Sequence, residues 1–206
     1  MNNIIIEEIN EDIVIDELKS NVYNIGKNAI VTINLDSSRF ECQEFNLDEN
    51  AHLIINKMYK GKEIHENITI NLNGVNSRVD YNFSTKVYSD EKYVININHN
   101  NKSTISNVIN HGVVMNDSHL LFEVNSSIKK GNSKSKLNQE SKIIVMSKNN
   151  SIIKPNLFIE EYDVDAVHSA TIGKFNKDEI FYLMTKGITK EESINLLING
   201  FLDIRR

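Results

Sequence analysis

Short runs of alternating apolar and polar residues fill the chain from residue 29 to residue 160. The runs are rich in β-branched and aromatic side chains, and Asn, Asp, Ser or Gly bounds them. Alternation with a period of two predicts strands that bury one face, and no stretch here keeps a helical period over two turns. The region is therefore predicted to be all-β, with strands at 30–35, 53–55, 68–72, 93–97, 120–124 and 143–146.

The spacing of these strands leaves two architectures open. Regular short strands without helices suit either an antiparallel sandwich or a single-stranded solenoid. No strict sequence repeat is visible, which counts against the solenoid. Before Ala29 the pattern is ambiguous, since residues 13–15 resemble a strand and residues 17–19 a short turn of helix.

The hydrophobic period changes after the last of these strands. Asn176 and Glu179 have capping-box spacing, as do Thr189 and Glu192, so each pair predicts the start of a helix. Gly187 stands where a left-handed C-cap is expected to end the first helix. The apolar stripes are Ile180, Phe181, Leu183 and Met184, then Ile194, Leu197, Ile198, Phe201 and Leu202. Such a hairpin closes the open end of the β body, presents an outer face to a partner protein, or does both.

Composition indicates one sizeable core in a cytosolic protein. The 206 residues are 40% apolar, and no segment approaches the roughly 20 apolar residues of a membrane span. The N-terminus lacks the basic start and cleavage site of a secretion signal, and the single Cys42 fits a cytosolic address. A net charge of -5 argues against a general nucleic-acid binder, because phosphate contacts need a concentrated basic face.

One run, residues 129–136, is locally basic. We interpret it as a solvated turn between strands, with a patch for an acidic partner as the alternative. Asn, Ile and Lys are abundant throughout, a bias expected of an AT-rich genome and therefore not taken as a functional signal.

Several short motifs follow one another in the last half of the chain with consistent spacing. They are TISN at 104–107, HGV at 111–113, NQ at 138–139, IIVMS at 143–147, KPNLFI at 154–159, DV at 163–164, HSATIG at 168–173, FYL at 181–183, KGI at 186–188 and GFL at 200–202. In this order they resemble the core domain of the SufB/SufD family, the scaffold subunits of the Suf system for iron-sulfur cluster assembly. The resemblance is specific over about 95–204 and vague over 29–94. The larger N-terminal helical region of typical members is expected to be missing.

The resemblance implies a mainly β fold, a right-handed parallel β-helix over 1–174 with residues 1–28 uncertain, followed by a helical hairpin over 175–206. It favours the solenoid over the sandwich. It also implies a non-enzymatic scaffold that docks the ATPase subunit SufC through the hairpin and pairs through its β-helix with a SufB-type subunit or a second copy. The residues expected to contact the ATPase are Phe175, Ile180, Phe181, Tyr182, Lys186, Gly187 and Ile188.

His168 matches a family histidine at the subunit interface that is implicated in holding the nascent cluster. Imidazole is a reasonable iron ligand, so iron or a transient cluster is expected there, with no stably bound cofactor. The sequence suggests that this histidine is buried in a strand-to-turn segment. Ala166 stands where D-type members often have cysteine, and Val167 and Ser169 stand where B-type members have glutamates.

Other candidate residues are interpreted as structural. Cys42 lies between glutamates, which hinder thiolate formation, so its role is expected to be structural or incidental. His99, His111 and His119 share one β-rich section but lack the spacing of zinc ligands. Asp163 and Asp165 would share a strand face that suits a cation or an acid/base pair, with a turn or solvated role as the preferred interpretation.

The alternative function is that of a β-helix polysaccharide lyase or hydrolase, since that fold also hosts such enzymes. These enzymes need clustered carboxylates and an aromatic platform for sugars. The chain has no Trp, and its acidic pairs are sparse.

Overall fold

The computed structural model describes residues 6–36, 42–60, 64–147 and 150–204. Within these ranges the chain forms fourteen strands followed by two helices. In chain order they are β1 (Ile6–Ile9), β2 (Ile13–Ile15), β3 (Val22–Ile25), β4 (Ile30–Asp36), β5 (Cys42–Leu47), β6 (His52–Lys60), β7 (Ile64–Leu72), β8 (Arg78–Val87), β9 (Glu91–His99), β10 (Ile105–Val114), β11 (Leu120–Ile128), β12 (Lys136–Val145), β13 (Ile152–Ile159), β14 (Asp165–Gly173), α1 (Lys177–Thr185) and α2 (Lys190–Leu202).

The strands alternate between two sheets. The odd-numbered strands form one seven-stranded sheet, which we call sheet A, and the even-numbered strands form a second, sheet B. Each strand pairs in parallel with the strand two positions along the chain. The body is therefore a parallel β-helix with two strands in each coil, as predicted, and not an antiparallel sandwich. The right hand of the β-helix stays a prediction.

The core lies between the two sheets. Alternate residues of each strand face inward, and the parallel register stacks inward residues of successive coils on one another. Phe83 lies at the centre of an aromatic stack, with its ring centroid 4.5 Å from that of Tyr93 and 5.9 Å from that of Phe122. The apolar side of the alternation seen in the sequence is thus the inside of the coil.

Asparagines join successive coils outside this core. Asn71 donates an amide hydrogen bond to the side-chain oxygen of Asn46 at 2.8 Å and accepts one from Asn98 at 2.8 Å. At the turns Asn28, Asn50 and Asn76 adopt positive φ. Their side-chain amides also form hydrogen bonds from coil to coil, since Asn50 donates to Asn28 and Asn76 donates to Asn50. Part of the asparagine content therefore has a structural role that the genome-bias interpretation overlooked.

Coil length explains why the sequence shows no strict repeat. Ladder partners lie 22 residues apart in early coils, 26 in the middle of the body and 31 in late coils. The stacked positions recur, but the number of residues between them grows, so a search at one period does not find them.

An ion pair lies inside the coil at Lys57 and Glu66. Both side chains are almost fully buried, and the Lys57 ammonium donates to Glu66 while the Tyr59 hydroxyl donates to the same carboxylate at 2.8 Å. Burial lowers the pKa of Lys57 to about 8, and the attraction of Glu66 and Glu91 opposes that shift. The sequence interpretation missed this cluster.

The helices begin where the sequence predicts. Thr189 and Glu192 form a complete capping box, but Asn176 accepts only from the Asp178 amide, so the first start is a simple N-cap. Gly187 has a φ of 86° and follows the first helix as expected. The predicted strand at 13–15 is confirmed, whereas residues 17–19 are not helical. The division into 1–174 and 175–206 stays a prediction.

Candidate functional site

The second helix anchors the hairpin to the outer face of sheet B. Ile198 and Leu202 of α2 are buried against Val113 of β10. Half-buried apolar side chains surround this contact, namely Met58, Met115, Ile144, Met146, Phe175, Ile194 and Phe201. Because β8 and β10 lie in the middle of sheet B, the hairpin covers a side of the body and not its open end.

His111 holds the C-terminal end of α2. Its ring stacks on Phe201 with centroids 4.4 Å apart, and its Nδ1 lies 2.7 Å from the Phe201 carbonyl oxygen, one of the helix-end carbonyls that lack a partner within the helix. Its Nε2 lies 3.3 Å from Glu140 Oε1. A hydrogen bond from Lys142 lowers the pKa of Glu140, partial burial opposes this, and the bond with His111 lowers the pKa further. We call the contacts of His111 with Phe201 and Glu140 the His111 latch. It joins α2 to strands β10 and β12.

The first helix is exposed along its length. Among its described residues none is buried, and Phe181 and Tyr182 are 68% and 60% exposed. Met184 is 42% exposed. Large apolar side chains exposed together on one element indicate a surface that contacts another molecule.

The residues predicted to contact an ATPase are divided by the structure. Phe181, Tyr182, Lys186 and Gly187 are exposed, and the Lys186 ammonium lies 5.2 Å from the centroid of the Tyr182 ring. The half-buried ones are Phe175, Ile180 and Ile188, of which Phe175 packs edge-on against Phe201. The exposed group is free to meet a partner, whereas Phe175 also joins the hairpin to the body.

Among the residues that the structure describes, no further coil covers the last coil of the β-helix. Strands β13 and β14 form its two sides, and both present exposed apolar side chains. These are Ile152, Phe158, Ile159, Val167 and Ile172. A strand edge next to exposed apolar residues is a site where a second chain can pair.

His168 lies on this uncovered coil, inside strand β14. It is in register with Gln139 of β12, whose inward side chain is buried and donates to Ser126 Oγ at 2.6 Å. His168 therefore has an inward-facing position, yet it is exposed because no coil follows it. The expectation of a buried histidine in a strand-to-turn segment is wrong. Within the described residues the Gln139 Oε1 atom, directly below this position, has no hydrogen-bond partner.

The other histidines do not converge. His99 is fully buried, its two ring nitrogens lie 2.8 Å from the hydroxyls of Thr104 and Ser106, and burial lowers its pKa to about 4. His119 lies at an exposed turn beside Asp90. With His111 below the hairpin, each of the three has a separate structural environment, as the sequence interpretation preferred.

The remaining candidates are the two aspartates, the basic run and Cys42. Asp165 begins β14 and lies 3.9 Å from the Lys136 ammonium, whereas Asp163 lies in the preceding bend, so the pair does not share a strand face. The basic run at 129–136 forms the turn between β11 and β12 and ends at Lys136, the first residue of β12. The Cys42 side chain lies outside the described residues. In the ranges that the structure describes, no group of three or more His, Cys, Asp or Glu side chains could hold a metal ion.

A family model describes most of this chain. The model of the SUF system FeS cluster assembly SufBD core domain matches residues 14–201. The chain belongs to the SufBD core family. The match extends well before residue 95, so the part of the body where the motifs were vague belongs to the same domain. The family is one of iron-sulfur cluster assembly in the SUF system.

Curated relatives agree with this family. The chain is 35% identical over 113 residues to the iron-sulfur cluster assembly protein SufD of Bacillus subtilis, which covers 54% of this chain and 26% of that relative. It is 38% identical over 50 residues to a SufBD family protein of Archaeoglobus fulgidus, covering 24% of this chain and 14% of the relative. A SufBD family protein of Galdieria sulphuraria is 41% identical over 46 residues, 21% of each chain. The matched segments thus span about a quarter or less of these relatives.

Neither helix of the described SufBD domain is both long and apolar enough to cross a bilayer. Sequence reasoning about this family member missed one feature of the site, the contact of His111 with the end of α2. The HGV motif at 111–113 was a signal for it, since His111 and Val113 share the outer face of β10 on which α2 packs.

Proposed function

We propose that the chain is a non-enzymatic scaffold subunit of a cytoplasmic Suf-type iron-sulfur cluster assembly complex. In this proposal α1 docks a SufC-type ATPase, and the uncovered coil pairs with a SufB-type subunit or a second copy of the chain. The observation that carries it is the contrast within the hairpin, because α2 is anchored and α1 offers Phe181 and Tyr182 to solvent. No observation favours the polysaccharide enzyme.

The docking part is supported by the packing of α2, which joins α1 to sheet B. The anchored α2 connects a motion of the ATPase to β10 and β12 through His111 and Glu140. β12 in turn pairs with β14, which carries His168. Three contacts therefore connect the hairpin to the proposed assembly site, namely α2 with β10, β10 with β12, and β12 with β14.

The docking experiment is co-purification with the cognate SufC-type ATPase. Phe181→Asp should abolish the complex, because it places a charge on an exposed aromatic contact. Tyr162→Asp, at an aromatic position that is 99% exposed in the bend before β14, is the matched control and should leave the complex intact. If wild-type protein and ATPase form no complex, or if both variants behave alike, the docking proposal is wrong.

Pairing through the last coil has its own test. Val167→Asp adds a charge to the exposed apolar edge, where Val167 is 60% exposed. In sedimentation it should convert a homodimer to a species of half the mass, or separate the chain from a SufB-type subunit. Val75→Asp, at an exposed turn, is the control. A pairing that survives Val167→Asp and a second charge at Phe158 would place the interface elsewhere.

His168 is proposed to hold iron or a nascent cluster as transient cargo. It supplies one imidazole, and Ala166, Val167 and Ser169 beside it supply no second soft ligand, so the pairing partner must complete the coordination. His168→Ala should fold and bind the ATPase normally while retaining less iron after anaerobic reconstitution. His119→Ala is the matched control at an exposed turn. Equal iron in wild-type protein and His168→Ala would contradict this role.

A further inference from the structure

A groove of about 550 Å³ opens between α1 and the end of strand β12. Its apolar lining is formed by Val145, Met146, Phe175, Ile180, Phe181 and Met184. Three lysines complete its border, Lys174 and Lys177 beside the start of α1 and Lys190 at the start of α2. The groove is thus an apolar cleft with a positive rim.

The rim lysines are available to a partner. All three are exposed, and among the described residues none of them forms an ion pair. The acidic side chains of the same segment, Asp178 and Glu179, are not among the groove lining. Within the part of the chain that the structure describes, an occupant therefore meets three ammonium groups that form no ion pair with a carboxylate.

The groove is continuous with the exposed face of α1. Phe181 lines the groove and is 68% exposed, so one aromatic ring belongs both to the cleft and to the proposed docking surface. A molecule that covers α1 would reach the cleft without crossing a polar gap.

We propose that this groove receives an apolar side chain flanked by carboxylates, on an acidic segment of the partner ATPase. The inference rests on the proposed function and adds the chemistry of the contact. Burial of an apolar side chain in the cleft supplies affinity, and carboxylates that face the three lysines orient the segment and speed its association. A neutral occupant would leave the rim charges unused, and a basic one would be repelled.

The decisive experiment measures the Kd of the full chain for the cognate ATPase by calorimetry. The triple variant Lys174→Glu, Lys177→Glu and Lys190→Glu should raise the Kd by at least about 30-fold, since three rim contacts become repulsive. The control triple Lys102→Glu, Lys129→Glu and Lys130→Glu changes the net charge equally on turns away from the hairpin and should stay within about twofold. Added salt should weaken wild-type binding more steeply than binding by the groove variant.

A second variant tests the cleft itself. Ile180→Trp fills the groove and should weaken binding at least about tenfold, whereas Leu196→Trp on the exposed side of α2 should not. Circular dichroism and thermal unfolding of each variant distinguish a lost contact from a lost fold.

The outcomes separate this inference from the proposed function. If wild-type protein binds the ATPase but neither the lysine reversal nor Ile180→Trp changes the Kd, the groove inference is overturned and docking through the hairpin stands. If the reversal abolishes self-association in sedimentation while ATPase binding persists, the occupant is a second copy and the inference is overturned. If dodecanoate binds wild-type protein but not the reversal variant, and ATPase binding is equal in both, the groove binds an amphiphile instead.

Discussion

The coiled body and the helical hairpin are stabilised in different ways. In the body each coil contacts the next through backbone bonds, stacked core residues and asparagine ladders, so the contacts are distributed along its length. The hairpin depends on one helix, α2, and on the few residues around Val113 and His111. Both helices have good N-caps, yet only α2 has buried residues. The residues that start a helix are therefore not the ones that decide whether it packs against the body.

The sharpest comparison sets Phe83 against Phe181. Phe83 is fully buried among four aromatic rings, and Phe83→Ala should cost about 3–5 kcal/mol of the free energy of unfolding. Phe181→Ala should change that free energy by no more than about 0.5 kcal/mol, because the ring is mostly in solvent. Urea unfolding followed by circular dichroism measures both. Comparable losses for the two variants would mean that α1 is part of the folded core.

Acid should weaken the body through Asp80. Partial burial opposes ionisation, but hydrogen bonds from His52 at 2.7 Å and from Arg78 at 2.8 Å outweigh it and lower the pKa of Asp80 to about 2 from 3.8. Because the folded-state pKa is below the unfolded value, this stabilisation is present above about pH 4 and is lost as the pH falls through 2.

The corresponding variant is Asp80→Asn. Its deficit in unfolding free energy relative to wild type should shrink by about 2 kcal/mol between pH 6 and pH 2. Urea titrations at a series of pH values measure this difference. Parallel pH profiles of the two proteins would show that Asp80 titrates alike in the folded and unfolded chains.

Removal of the His111 latch should loosen the hairpin and leave the body intact. His111→Ala deletes the contact with the Phe201 carbonyl and the ring stacking, at a cost of about 1–2 kcal/mol for opening of α2. Hydrogen exchange should then be faster in α2 and unchanged in β6 and β8. His119→Ala is the control. Equal acceleration in α2 and in the body would show that both open as one unit.

The smallest expected effect is that of a single ladder residue. Asn71→Ala removes amide bonds to Asn46 and Asn98 and should cost about 1 kcal/mol, because the neighbouring coils still hold their backbone bonds. Asn199→Ala, on the exposed side of α2, is the control and should stay within about 0.5 kcal/mol. A much larger loss for Asn71→Ala would mean that the ladder acts cooperatively along the body.

Sequence reasoning reached the strands and helices because these depend on neighbouring residues. The period of two predicted the inward face of β7 and β9, and Thr189 with Glu192 predicted the start of α2. Parallel pairing could not be derived in the same way, because it joins residues 22 to 31 positions apart at a spacing that changes from coil to coil. The family resemblance supplied that step.

The candidate site was harder to predict, because the exposure of its residues depends on which other coils and helices pack against them. His168 has the inward position that its strand pattern suggests, but burial needs a following coil. The stripe of α1 resembles that of α2, yet α2 packs on β8 and β10 of sheet B, whereas α1 mainly contacts α2. The buried position of Lys57 could have been predicted, because the alternation of apolar and polar residues in β6 places this lysine on the inward face.

The asparagine ladders have a direction. In each described step the amide nitrogen of the later coil donates to the amide oxygen of the earlier one, as in Asn125 to Asn96 and Asn156 to Asn125. The side-chain dipoles therefore align along the axis, with their negative ends toward the last coil. Asn156 occupies the final step, so its oxygen has the place of an acceptor for a coil that would follow. Whatever covers this end gains by bringing hydrogen-bond donors or positive charge to it.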